Sequence, residues 1–372
     1  MTGMATPVLF VVPGLGRAGL ETRLLDFARG LPEALELHVC ALGEDLTLLE
    51  AFRRTRALVV VMPIRRAYTD WRQLGKLASY IREQRIGVVN SFDLKTLLVC
   101  LAAKVLSRRR VRVVHHVVSL WEDLRWRQRA LLRRAMQHAD LVVCNGHAVK
   151  DEVVGTGPLR PRLAVIPNGV DCDRYRSRPD LRRAERERQG FAPDHFVLGT
   201  VANVRPVKNY PFLLAAMPRL AAKYPQVRLV CVGGGAQLEE MKALAERLHL
   251  GDGVVFTGSV ADVRPYVATL DAFALCSLKE GCPNVVLQAM AMSVPVIASA
   301  VGEIPFMLEH GESGLLFAPR DEDAFLAAIS RLVEDAGYRG RLAQAGRRRT
   351  EGAYSSARMI DEYAALFHEL AT

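Results

Sequence analysis

Short Val-rich apolar runs recur along the chain, separated by longer stretches whose apolar residues return at helical spacing. Runs that stay apolar at successive positions, instead of alternating, are what strands buried on both faces of a parallel sheet require. In the first half they are VLFVV (8–12), LHVCAL (37–42), ALVVVM (57–62), IGVVN (86–90), VRVVHHVV (111–118), DLVVC (140–144) and LAVIP (163–167). In the second half they are FVLGTVA (196–202), VRLVCVG (227–233), GVVFTG (253–258), DAFALCS (271–277) and VPVIAS (294–299). The pattern predicts two doubly wound α/β sheets, with ligands at the carboxyl ends of the strands. A chain of 372 residues, half of them apolar, is too long for one compact core and fits two domains.

Between the two sets of strands, Asp171 to Gln189 is dense in Arg, Asp and Glu with almost no aliphatic residues, and reads as an interdomain linker. A last helical pattern, Ala357 to Leu370, follows the charge run Gly346 to Ser356, so hinges are expected near 170–190 and near 350. No stretch approaches the ~20 apolar residues of a membrane helix. The opening MTGMATPVLFVVPGLG has no basic n-region and runs directly into a strand, so it does not read as a secretory signal. The seven cysteines are odd in number and scattered, without a C-x-x-C pair, which favours reduced thiols in a cytoplasmic protein and argues against zinc.

The net charge of +10 is unevenly divided. Residues 1–165 hold 26 basic and 15 acidic residues, a balance of +11, whereas residues 166–372 hold 24 and 25, a balance of −1. Basic clusters fall at Arg53, Arg54 and Arg56, at Arg65 and Arg66, at Arg108 to Arg110 with Arg112, and at Arg125, Arg127, Arg129, Arg133 and Arg134 beside Trp121 and Trp126. A basic, Trp-bearing face suits anionic lipid headgroups or a lipid-phosphate acceptor; an ordinary solvated surface is the competing reading. Nucleic acid is not favoured, since neither a zinc finger nor an RNP-type sequence accompanies the charge.

The chemistry concentrates in SLKEGCPNVVLQAMAMSVPVIAS (277–299), which reads as a strand end, a polar loop, a helix and a second strand. Glu280 and Gly281 form the turn, and Pro283 with Asn284 opens a helix whose first backbone N–H groups suit a phosphate or sugar oxygen. Gln288 follows eight residues after Glu280, so a carboxylate and an amide can address one polar ligand. This segment resembles the acid-x7-acid signature of retaining glycosyltransferases of family 4, with Gln288 in place of the second acid and Ser293 in place of a glycine. The resemblance implies the GT-B fold, two doubly wound Rossmann-like domains facing across a cleft. It divides the chain into an acceptor-side domain over 1–170, a linker over 171–190 and a donor-nucleotide domain over 191–351, with a terminal helix over 352–372 crossing back.

Other segments extend the resemblance. PGLGRAGLETRLLDFARGL (13–31) is similar to the family's glycine turn near the donor diphosphate, with Gly19 retained and Ala18 replacing a glycine. TVANVRPVKNYPFLLAAM (200–217) is similar to the loop whose Arg and Lys hold the diphosphate: Lys208 matches, while Asn203 takes the usual Arg place and Arg205 is a shifted substitute. LVCVGGGAQLEEM (229–241) places Gly233 and Gly234 in a turn that either admits a nucleotide or merely ends a strand. VGEIPFMLEHGESGLLFAP (301–319) keeps Gly302 but carries Glu303 and Phe306 where the family has Gly and Glu. IPNGVDCDRYR (166–176) is similar to the family's junction; its Asn-Gly is a turn signal, and the Asp-x-Asp at 171–173 does not read as a metal motif there. His115 and His116 end the VRVV run; adjacent residues on a strand face opposite sides, so at most one of them, or Val118 instead, lines the ligand side.

The resemblance implies transfer of a hexose-like residue, with retention, from a nucleotide diphosphate sugar to a glycan or lipid-linked acceptor in cell-surface polysaccharide or glycoconjugate synthesis. Lys208, Arg205 and the helix after Asn284 would receive the diphosphate, Glu280 would address the sugar and Gln288 the ribose. Gly281, Cys282, Pro283, Asn284 and Val285 would border the donor, and either His115 or His116 would reach the reaction centre. No metal or other cofactor is expected. The place of action is expected to be cytoplasmic, peripheral to the inner face of the plasma membrane. Two other readings remain: a degenerate sugar-nucleotide-binding protein, motivated by Gln288, Glu303 and Phe306, and a sugar-nucleotide epimerase on the same fold.

Overall fold

The computed structural model describes residues 5–16, 19–64, 70–118, 120–121 and 124–371. The chain divides into two compact units, Met1–Gly169 with Ser356–Thr372, and Val170–Ser355. The first unit holds a parallel sheet of β1 (Thr6–Val12), β2 (Leu35–Ala41), β3 (Leu58–Val61), β4 (Val88–Ser91), β5 (Arg112–Val117), β6 (Leu141–Cys144) and β7 (Arg162–Val165), in the order β3-β2-β1-β4-β5-β6-β7. The second holds β8 (Phe196–Val201), β9 (Val227–Val232), β10 (Val254–Gly258), β11 (Ala272–Leu275), β12 (Val296–Ser299) and β13 (Leu315–Phe317), also parallel, in the order β10-β9-β8-β11-β12-β13. Both are Rossmann-like sheets in which the order reverses between the first and fourth strands, opening a crevice at their carboxyl ends.

The uninterrupted apolar runs are explained by burial on both faces. Within β5, Val113 belongs to one apolar cluster and Val114 to the cluster on the opposite face of the sheet. Every residue of β8 is buried, whereas edge strand β3 is partly exposed along its length. Each fully buried Leu, Ile or Phe contributes about 1.5–3 kcal/mol relative to exposure, so these clusters dominate the stability of both units. Helix starts follow local chemistry: Asp93 and Thr96 cap one another at the head of the helix Leu94–Ser107.

Three expectations change. The segment Asp171–Gln189 is not a linker but part of the second unit, and Pro179–Arg188 is a helix. No residue of that helix is buried; guanidinium groups hold it instead. Arg182 donates to the carbonyls of Ala268 and Leu270 at 3.0 and 2.6 Å, and Arg182 and Arg186 pair with Asp271 at 2.6 and 3.2 Å. The sheet also gains β13, which the apolar pattern did not mark because it is only three residues long. Finally, Arg112 is not a free member of the basic cluster: it and Lys104 both pair with Asp140, at 3.0 and 2.8 Å. Arg65 and Arg66 lie outside the described residues.

The terminal helix Ser356–Ala371 belongs to the first unit's core. Phe367 is fully buried with its ring 5.8 Å from Phe10 of β1, and Tyr363 meets Phe27 at 5.9 Å.

Candidate active site

In the second unit the crevice lies between the carboxyl ends of β8 and β11, and three loops close on it. After β8 the backbone turns through a 3-10 segment, Pro206–Lys208, into Asn209 at φ 53°, a left-handed conformation that asparagine tolerates. The amide of Leu278, after β11, donates to the carbonyl of Val207 at 2.8 Å, and that of Glu303, after β12, donates to Gly281 at 3.0 Å. Gly302 is required here: its φ is +55°, and a Cβ would stand 1.7 Å from the Glu280 carbonyl oxygen.

These bonds bring Lys208 and Glu280 together. Lys208 Nζ lies 2.5 Å from Glu280 Oε1, and the side chains are 15% and 9% exposed. Ser277 Oγ donates to the same oxygen at 2.5 Å, and Ser299 Oγ holds the Ser277 carbonyl at 2.5 Å. One carboxylate oxygen is therefore fixed by two donors. An ammonium has three N–H donors, so pairing with Glu280 leaves Lys208 able to meet a second anion. Arg205 is exposed and pairs with no acid among the described residues.

The glycine turn after β9 packs against this loop. A Cβ on Gly233 would lie 2.1 Å from Ala202 O, and one on Gly234 2.3 Å from Ser259 Oγ; the Gly234 carbonyl accepts from Val204 N at 2.8 Å. Close backbone packing thus accounts for Gly233, whose φ is +139°, whereas the close contact at Gly234 is with the Ser259 side chain. The helix Asn284–Ala291 starts at Pro283, which supplies no side-chain cap. Gly281, Asn284 and Val285 are half-buried, while Cys282 and Pro283 are buried, with Cys282 in the apolar core. Gln288 is half-buried, and its Nε2 donates to the Tyr175 hydroxyl at 3.1 Å. Glu303 is fully buried, and the Phe306 ring is 43% exposed.

In the first unit His115 and His116 separate as strand geometry requires. His116 has both ring nitrogens engaged, Nε2 with Asn90 Oδ1 at 2.8 Å and Nδ1 with Tyr363 Oη at 3.4 Å, and it stacks on Phe92 at 4.8 Å. These bonds tie β5 to the terminal helix and occupy both nitrogens of His116. His115 bonds Ser91 Oγ through Nδ1 at 3.0 Å, and both histidines border a cavity of about 260 Å³ with Phe92, Leu94, Val118, Trp121 and Leu124. Burial lowers its pKa to about 3, so the imidazole is neutral, and the pKa of His116 is also well below the usual value, chiefly through burial. Gly19 opens the helix Gly19–Arg29 with open space where a side chain would project. Ala18 lies outside the described residues. Glu21, in the same first turn, is buried, and burial raises its pKa.

Ser277 and Tyr175 were missed by motif reading. Ser277 opens the quoted segment, three residues before Glu280, a spacing that places it on the same loop. Nothing in the sequence ties Tyr175 to Gln288, 113 residues away.

Comparison with known proteins agrees with the geometry. Residues 195–335 match the model of glycosyl transferases group 1, and residues 17–174 that of Glycosyltransferase Family 4. The chain is 32% identical over 256 residues to a GDP-mannose-dependent alpha-(1-6)-phosphatidylinositol monomannoside mannosyltransferase of Mycolicibacterium smegmatis, covering 66% of each chain. It is 33% identical over 225 residues to a D-inositol 3-phosphate glycosyltransferase of Actinosynnema mirum, covering 56% of this chain and 53% of that one. The match therefore spans just under two thirds of the first relative and about half of the second. Anabaena Alr3699/HepE, solved in complex with UDP-glucose, shares the fold with a TM-score of 0.86 at 23% identity, covering 98% of this chain and 99% of that one. With both halves matched by the family's models and both sheets wound as its fold demands, the chain belongs to the group 1, family 4 glycosyltransferases of the GT-B fold.

Proposed function

We propose that this protein is a retaining glycosyltransferase that moves a hexose-like residue from a nucleotide diphosphate sugar to a glycan or lipid-linked acceptor in cell-surface glycoconjugate synthesis. The observation that carries this reading is the Lys208–Glu280–Ser277 constellation at the switch point of the second sheet. Lys208, with exposed Arg205 and the N-terminus of the helix Asn284–Ala291, receives the diphosphate and stabilises the charge that develops as it leaves. These cationic groups stand in the place of a metal. Glu280, one oxygen already held by Ser277 and Lys208, offers its other oxygen to a sugar hydroxyl. Gln288 addresses the ribose. The bond from the anomeric carbon to the phosphate oxygen breaks, a bond to the acceptor oxygen forms on the same face, and the leaving phosphate takes the acceptor proton.

The relatives named above act, by their names, on a phosphatidylinositol mannoside and on an inositol phosphate, which supports an acceptor bearing an anionic headgroup. The first unit fits such a partner: on the helix Trp126–Met136, Trp126 is 73% and Leu131 47% exposed among arginines. This face, together with seven cysteines that form no disulfide, supports cytoplasmic action at an anionic membrane surface.

A thermal-shift panel of UDP, GDP, ADP and their sugars identifies the donor, and anomer analysis of the product from that donor with candidate acceptors tests the reaction. The expected result is stabilisation by one nucleotide series and a product retaining the donor's anomeric configuration. Binding without any turnover, or conversion of the donor to an epimer with no acceptor present, overturns the reading.

A further inference from the structure

A glutamine presents two chemically different ends, and the end that meets a ligand is decided by what the other end bonds. Gln288 Nε2 donates to the Tyr175 hydroxyl at 3.1 Å. Tyr175 is 7% exposed and held from several sides. Its amide donates to Asp171 O at 2.9 Å, and Asp171 Oδ1 accepts from the amides of Asp173 and Arg174 at 3.0 and 2.9 Å, closing a tight turn. Arg347 Nη1 donates to the carbonyls of Cys172 and Tyr175 at 3.0 and 2.8 Å and also to that of Ala291. One guanidinium thus fastens the tyrosine's segment to the end of the helix that carries Gln288. The Arg174 guanidinium lies over the Tyr175 ring at 5.8 Å.

We propose that Tyr175 is a positioning residue that takes up the Gln288 N–H and leaves the carbonyl oxygen Oε1 as the acceptor for a ribose hydroxyl. This rests on the assignment of Gln288 to the ribose. A carboxylate at 288 has no wrong end and needs no such partner, whereas an amide does. Tyr175 supplies the constraint that the change from acid to amide makes necessary. The consequence is discrimination between ribonucleotides and deoxyribonucleotides that depends on a phenol outside the acid-x7-acid segment.

The test is calorimetry with UDP or GDP, whichever the wild-type protein binds more tightly, and with its 2′-deoxy and 3′-deoxy counterparts. Tyr175→Phe is expected to weaken the ribonucleotide about three- to tenfold, the scale of one neutral hydrogen bond, and to leave unchanged the counterpart that lacks the bonded hydroxyl. In transfer assays the change falls on KM for the donor and not on kcat. Gln288→Glu in the Tyr175→Phe background is expected to restore ribonucleotide affinity, because either carboxylate oxygen accepts. Equal losses for ribo- and deoxyribonucleotides, or failure of that rescue, reduce Tyr175 to a packing residue and overturn the proposal. If Gln288→Ala weakens the ribonucleotide and Tyr175→Phe does not, the positioning role alone is refuted. If Gln288→Ala is silent, the ribose assignment itself falls.

Discussion

Lys208 and Glu280 are paired, and the proposed function divides two roles between them, phosphate recognition for Lys208 and sugar recognition for Glu280. Lys208→Ala removes a charge-assisted contact worth about 1.5–3 kcal/mol, and nucleoside diphosphate affinity by calorimetry is expected to fall tenfold or more. Unchanged affinity would remove Lys208 from the site. Glu280→Gln keeps the shape but not the charge; transfer is expected to drop on the order of ten- to a hundredfold while diphosphate affinity changes little. A parallel loss of both would mean that Glu280 serves mainly to hold Lys208. Both residues were legible in the sequence because their loops carry ordered motifs, whereas the bonds that occupy His116 were not, since they come from Asn90 and from Tyr363, 247 residues from His116. The buried histidines also set a pH dependence. The His115 pKa is lowered to about 3 from an ordinary 6.5, so its contribution to stability is full above about pH 6.5 and is lost as pH falls toward 3. Each such histidine steepens acid destabilisation by up to about 1.4 kcal/mol per pH unit across that window. His115→Gln is therefore expected to flatten the slope in urea titrations between pH 6 and 4, and an unaltered slope would show that the imidazole is not excluded from protonation.

At the scale of the element, the helix Trp126–Met136 buries Leu132, Ala135 and Met136 and turns Trp126, Arg127, Leu131 and Arg134 outward, with Arg127 over the Trp126 ring at 5.1 Å. The neighbouring helix Leu94–Ser107 adds Val105, which is 76% exposed, and Leu106. Exposed apolar side chains among arginines suit the headgroup region of an anionic bilayer, where each basic residue adds about 1 kcal/mol, screened by salt. Reversing Arg125, Arg127 and Arg129 to Glu is expected to release the protein from anionic vesicles in sedimentation. Wild-type protein that ignores such vesicles at low salt would assign this face to solvent and the acceptor to the soluble phase. The cluster was visible in the sequence, but its active membership was not: Arg112 is paired with Asp140, and Arg133 reaches back to the Pro158 carbonyl at 3.4 Å.

At the scale of the molecule, the first unit is completed by residues from the other end of the chain. Phe367 is fully buried, and its replacement by Ala removes a large ring from a close-packed core, an expected loss of about 3–5 kcal/mol in urea unfolding of the first unit. Nucleotide-induced stabilisation, which the proposed function assigns to the second unit, is expected to survive; a stability loss below about 1 kcal/mol would show that the terminal helix is dispensable to the first unit's core. The two sheets were readable from the apolar runs, since a strand buried on both faces must be apolar throughout, and that requirement is local. The sequence also marked the loops holding Lys208 and Glu280, through polar turns between strand and helix patterns and their resemblance to the family's motifs. It did not mark β13, too short to register, or the helix Pro179–Arg188, held by guanidinium bonds where an apolar stripe would ordinarily serve. The fold alone shows which partners occupy His116, which arginine is paired with Asp140 and that the Gln288 amide nitrogen meets Tyr175. Each of those depends on a partner far away in sequence, and a hydrogen bond or ion pair is specified by where two chains of atoms meet, which no local pattern records.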